Sequence, residues 1–114
     1  MQLDEFLRRL ALNDERAVGI ATAGRGASRE PSLDARTESL VCLGALLSIG
    51  ATTASCRAEV DVARAAGATD EEIVGALMAV GPAVGAARVV AAAPRLALAI
   101  DYDIEDADVA WEGP

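Results

Sequence analysis

Apolar side chains along this chain recur mainly at three- and four-residue intervals. Leu3, Phe6, Leu7 and Leu10 mark a short amphipathic helix running to about Leu12. Asn13 or Asp14 is placed to cap a second piece carrying Ala17, Val18 and Ile20. Gly24 to Ser32 combines glycines, a proline and polar residues, and reads as a loop. Asp34 then caps a helix over Ala35 to Ile49, with Leu40, Val41, Leu43 and Leu47 as a wide apolar stripe and Gly50 as its stop. Thr52, Thr53 or Ser55 starts the next helix, whose Val60 and Ala63 face inward and which ends before Gly67. Thr69-Asp70-Glu71-Glu72 has the form of a capping box, followed by Ile73, Leu77 and Val80 at helical spacing. Pro82 should kink or break that helix, because it lacks an amide proton and crowds the preceding turn. A further helix is expected from Val84 to Ala93, with Gly81, Gly85 and Ala86 allowing close approach. Pro94 should kink the chain again or start a last helix, Arg95 to Ile100. No stretch sustains the alternation of a strand, so the predicted fold is all-α.

This pattern divides the 114 residues into an N-terminal helical segment and loop (1–32), a helical core (33–100) and a C-terminal tail (101–114). Charge sharpens the last boundary. The net charge is −8, and the final fourteen residues hold Asp101, Asp103, Glu105, Asp106, Asp108 and Glu112 with no basic residue. The remainder is nearly neutral, which argues against a nucleic-acid-binding surface. Tyr102 and Trp111, two of only three aromatic residues, lie in that tail and suggest that it docks. Alanine, valine and leucine supply most of the apolar content. Side chains this small make a lean core, so helices must pack closely or borrow surface from a partner. A homo-oligomer is the expectation.

The apolar run from Val74 to Ala87 is interrupted by glycines and Pro82 and followed by Arg88, so no membrane span is expected. The acidic start, Met1-Gln2-Leu3-Asp4-Glu5, lacks a signal-peptide pattern, and the expected location is the cytoplasm. Cys42 and Cys56 are then expected to be reduced thiols. Fourteen positions apart, they form neither a CxxC motif nor a zinc signature, and no cofactor or metal is called for. The chain has no histidine and no lysine; all ten basic residues are arginines. Serine triads, Cys-His pairs and histidine-built zinc sites are therefore excluded within the chain. Carboxylates, guanidinium groups, two thiols, hydroxyls and backbone amides remain for any chemistry.

Leu33-Asp34-Ala35-Arg36-Thr37-Glu38-Ser39-Leu40-Val41 resembles the start of the carboxymuconolactone decarboxylase family domain, whose superfamily includes the alkylhydroperoxidase-D-like proteins. Ala63 to Ile73 is similar to the turn between its central helices, and Gly75 to Ala87 to the helix that follows. The resemblance covers roughly Leu33 to Ala99. It implies a helical fold built around a central hairpin, and homo-oligomers that are often trimers or hexamers. It also implies, in the redox branch, a thiol peroxidase using CxxC, a following histidine and a glutamate on the preceding helix. This chain departs there. Counted back from Gly67, the cysteine positions hold Thr52 and Ser55, and the histidine position holds Glu59. Counted forward from Leu33, they fall on Ala51, Ala54 and Ala58. The glutamate position falls on Ser39, beside Glu38.

These departures define the candidates. Glu59, in a partly buried pocket, is a candidate acid–base group; the alternative is a carboxylate on a helix face or paired with an arginine. Cys56 is a candidate single peroxidatic thiol or a small half-buried residue, and Cys42 reads as core. Glu38 is a further acid–base candidate. Arg57 and Arg36 are candidate clamps for a small organic acid, as are Arg88 and Arg95, with ion pairing or solvent exposure as the alternative. Thr52 and Ser55 are placed either to bind an anion at a helix start or simply to cap it. Three functions follow: a protein that binds or acts on a small organic acid near Glu59, a one-cysteine peroxidase using Cys56, or a non-catalytic binding or assembly protein.

Overall fold

A computed structural model describes residues 2–24 and 30–102. Most of the Gly24–Ser32 loop and the acidic tail beyond Tyr102, including Trp111 and the expected docking of that tail, lie outside the described residues. The chain forms two compact units, one ending at Leu33 and the other beginning at Asp34. Among the described residues there are six helices and no strand, so the fold is all-α.

The first unit holds α1 (Leu3–Ala11) and α2 (Glu15–Ala21). Asp14 caps α2 by accepting from the Ala17 amide at 3.0 Å, and Ala17 is buried. The second unit holds α3 (Ala35–Ile49), α4 (Thr53–Ala65), α5 (Asp70–Val84) and α6 (Ala86–Ala99). Each of the first three starts on a side-chain cap. Asp34 accepts from the Thr37 amide, Thr52 from that of Ser55, and Thr69 from that of Glu72, whose carboxylate returns to the Thr69 amide.

Four helices end in one manner. A residue with positive φ follows the helix, its amide bonds three residues back, and the next amide bonds five residues back. Gly50 and Gly67 do this after α3 and α4, as their sequence positions suggest. Asn13 and Asp101 do it after α1 and α6, with φ of 59° and 67°. Tyr102 accordingly donates to the Ala97 carbonyl at 2.8 Å. Asp101 therefore closes α6, although the charge pattern groups it with the acidic tail.

In the second unit α3 packs on α4 and α5, and α6 packs on the same two, while α4 and α5 barely touch. Helices α3 and α6 meet across the middle. The core between them is made by Leu43 and Leu47, by Cys56, Val60 and Ala63, by Ile73, Ala76 and Leu77, and by Ala92, Leu96, Ala99 and Ile100. Close helix approach occurs at Gly44, where an added Cβ would lie 3.0 Å from a Val80 methyl. It does not occur at Gly85, where nothing lies within 4 Å of that position.

Three readings are corrected: a break at Pro82, a helix start at Pro94 and the place of Val41 in the apolar stripe. Helix α5 runs through Pro82 to Val84, and α6 runs through Pro94 as one helix. Both prolines are exposed, as are Met78 and Val90, whose carbonyls lose a helical donor, so water can replace the bond. Burial of Leu96, Ala97 and Ala99 beyond Pro94 holds the helix together past the ring. Val41, expected in the apolar stripe, is 57% exposed.

Candidate functional site

Arg57 sits in the second turn of α4, one residue past Cys56, but its guanidinium reaches the end of α6. One nitrogen donates to the Asp101 carboxylate at 2.8 Å and another to the Leu98 carbonyl at 2.6 Å. Two turns later on α4, Arg64 donates to Asp70 at 3.1 Å and to the Ile100 carbonyl at 3.3 Å. Two arginines of α4 thus donate to carbonyls at the terminus of α6, where the helix dipole favours positive charge. The hydrogen bond from Arg57, and then its charge, hold the Asp101 carboxyl below the usual carboxylate range.

Arg36, the other proposed clamp, pairs with Glu72 at 3.2 Å and so ties the start of α3 to the start of α5. Glu72 is held below its ordinary range, first by the Thr69 amide of the capping box. The Thr52 hydroxyl accepts from the Ser55 amide and donates to the Ser55 hydroxyl, both at 3.1 Å. Both side chains therefore take part in capping α4.

Cys56 is fully buried in the core. Burial pushes its thiol pKa up, and the charge of Arg95 acts in the opposite sense. A raised pKa means less thiolate, the form that attacks peroxide. Cys42, expected in the core, is instead a half-buried free thiol and takes no part in the core cluster. Glu59 and Glu38 are both half-buried. Ser39, in the position where the redox branch carries its glutamate, is fully buried and donates back to the Ala35 carbonyl at 2.9 Å. Arg88 donates to the Ser48 carbonyl near the end of α3, at 3.2 Å.

An open cleft of about 410 Å³ runs between α3 and α5. Leu40, Val41, Gly44, Gly75, Ala76, Ala79 and Val80 line it, and its one charged wall residue is Glu72. Glu59, Cys56 and Arg57 are not among its walls. Sequence reasoning did not find this cleft. Its signal was the pair Gly44 and Gly75, one on each facing helix, which keeps the walls thin. Among the described residues no group of three or more cysteine, aspartate or glutamate side chains is arranged to hold a metal ion.

These observations define a small helical protein with a low-volume core, no thiol pair and an apolar interhelical cleft. Comparison with protein families matches residues 17–97 to the carboxymuconolactone decarboxylase family. The chain belongs to that family, and the match starts within α2, earlier than the Leu33 motif. Comparisons with curated proteins and with solved structures returned no match.

Proposed function

We propose that this chain is a non-catalytic member of its family, a homo-oligomeric binding or assembly protein that retains the helical core without thiol chemistry. The observation that carries this reading is the engagement of Arg57. The guanidinium adjacent to Cys56 in sequence is spent on the end of α6. Burial of Cys56 and the absence of any histidine support the same reading. Self-association is supported by large apolar side chains left in water on the second unit, among them Ile49 and Met78, each 72% exposed. A trimer or hexamer is the assembly that the family resemblance suggests, and the cytoplasm is the proposed location. No helix is long and apolar enough to cross a membrane among the described residues.

A second reading, binding of or action on a small organic acid between helices near Glu59, draws support from the half-buried position of Glu59 one turn beyond Cys56. Glu38 would be its acid–base partner, and Arg36 would have to release Glu72 to take part.

The test is peroxide consumption by the purified full chain with dithiothreitol, together with thiol titre before and after peroxide. No turnover and an unchanged titre for the buried thiol are expected. Turnover abolished in Cys56→Ser would replace this reading with a one-cysteine peroxidase.

A further inference from the structure

Gly50 has φ of 73° and closes α3. A Cβ built there would lie 3.3 Å from an Arg95 guanidinium nitrogen and 3.9 Å from an Arg88 guanidinium nitrogen. Two cationic groups two turns apart on α6 therefore converge on one point beside a residue that has no side chain. Neither has a carboxylate partner among the described residues. Arg88 donates to a backbone carbonyl, and Arg95, which is half-buried, forms no hydrogen bond or ion pair among the described residues. Elsewhere in the unit, Arg36, Arg57 and Arg64 each face a carboxylate. Two like charges held this close, one of them half-buried, repel each other unless an anion joins them.

We propose that Arg88, Arg95 and the bare backbone of Gly50 form a binding site for a small oxyanion. The carbonyl end of α3 offsets about half of one positive charge and leaves a net positive site, which one or two negative charges would bring equally near neutrality. Guanidinium groups hold planar oxyanions through paired N–H donors, a geometry that an ammonium cannot reproduce. Glycine at position 50 leaves open the space such an ion would fill. The site does not depend on whether the chain has thiol chemistry, although the charge of Arg95 also reaches the Cys56 thiol.

The experiment is a titration of the isotope-labelled full chain with sodium formate, and separately with sodium sulfate. Ionic strength is held constant with chloride, and the Gly50 amide and the arginine side-chain N–H signals are followed. A saturable shift of the Gly50 amide is expected with at least one of the two anions. It should be lost in Arg95→Gln and in Arg88→Gln, weakened in Arg95→Lys and unchanged in Arg16→Gln. No saturable shift in the folded wild-type chain would overturn the site. So would a shift that survives both glutamine substitutions. Should Arg95→Gln fail to fold, Arg88→Gln alone decides between these outcomes. Peroxide turnover alongside an intact anion response would remove the non-catalytic reading and leave the site standing.

Discussion

Arg57 and Asp101 stand forty-four residues apart in sequence and meet at 2.8 Å, with the same guanidinium also holding the Leu98 carbonyl. Loss of the arginine removes both contacts. Arg57→Ala is expected to destabilise the chain, the carbonyl bond alone accounting for about 1 kcal/mol, and to lower the melting temperature by a few degrees. Asp101→Asn should have a smaller effect, because asparagine tolerates the left-handed backbone and keeps an acceptor. Thermal melts of the two single variants and the double variant check this. Equal losses for the two single variants would contradict it.

Acid should weaken the fold through the same kind of contact. Asp34, Glu72 and Asp101 all titrate below their ordinary range, Asp34 chiefly through the Thr37 amide. For a carboxyl whose folded pKa is depressed, the stabilisation is complete above the unfolded value and is lost as pH falls through the folded value. Melting temperature should therefore respond little to these groups above about pH 5 and fall below about pH 4. Asp34→Asn together with Glu72→Gln should flatten the acid limb, measured by melts from pH 7 to pH 2.5.

Gly44 sets the distance between α3 and α5. Gly44→Val would drive a branched side chain into Val80 and should cost about 1–3 kcal/mol. Gly44→Ala should come out near neutral, because a helix-propensity gain of up to about 1 kcal/mol offsets the 3.0 Å approach. Val80→Ala should restore much of the loss in Gly44→Val, which urea denaturation of the four chains would show.

Helix ends differ in what they tolerate. Gly50→Ala puts a Cβ on a left-handed residue, at a cost of roughly 1–2 kcal/mol, and pushes it against Arg95. Asn13→Gly, at an equivalent helix end with nearly the same φ, should be neutral or slightly stabilising. Urea midpoints of the two variants test the contrast.

The two thiols should behave unequally. Cys42 is half-buried and Cys56 fully buried, so a disulfide reagent under native conditions should label Cys42 first. Both should react in denaturant. Cys56→Ser, which places a hydroxyl in an apolar core, should cost about 1–3 kcal/mol by thermal melt.

Local signals in the sequence translated well into structure. Asp34, and the Thr69–Glu72 box, cap helices with partners three residues away, so a short window contains the whole interaction. Gly50 and Gly67 are legible for the same reason. Asn13 and Asp101 were missed as helix ends because only their backbone conformation reveals the role, and each has another plausible use as a cap or a tail charge. Pro82 does not break α5 and Pro94 does not start α6, because the burial that outweighs the local penalty comes from other helices. The candidate site was the least legible part. Arg57 and Arg36 read as candidate clamps, with ion pairing as the alternative, yet their partners Asp101 and Glu72 lie far along the chain, and no spacing rule points to them. The two thiols exchange the places expected of them: Cys42, read as core, is half-buried, and Cys56, read as reactive or half-buried, is fully buried.

The grip of Arg57 and Arg64 on the end of α6 makes α4 a gauge of helix length. One residue inserted between Gly85 and Leu98 would rotate that end by about 100° and advance it about 1.5 Å. The Leu98 and Ile100 carbonyls and Asp101 would then swing away from both guanidinium groups together. Drift in this protein's lineage should therefore change side chains along α6 far more freely than it changes their number.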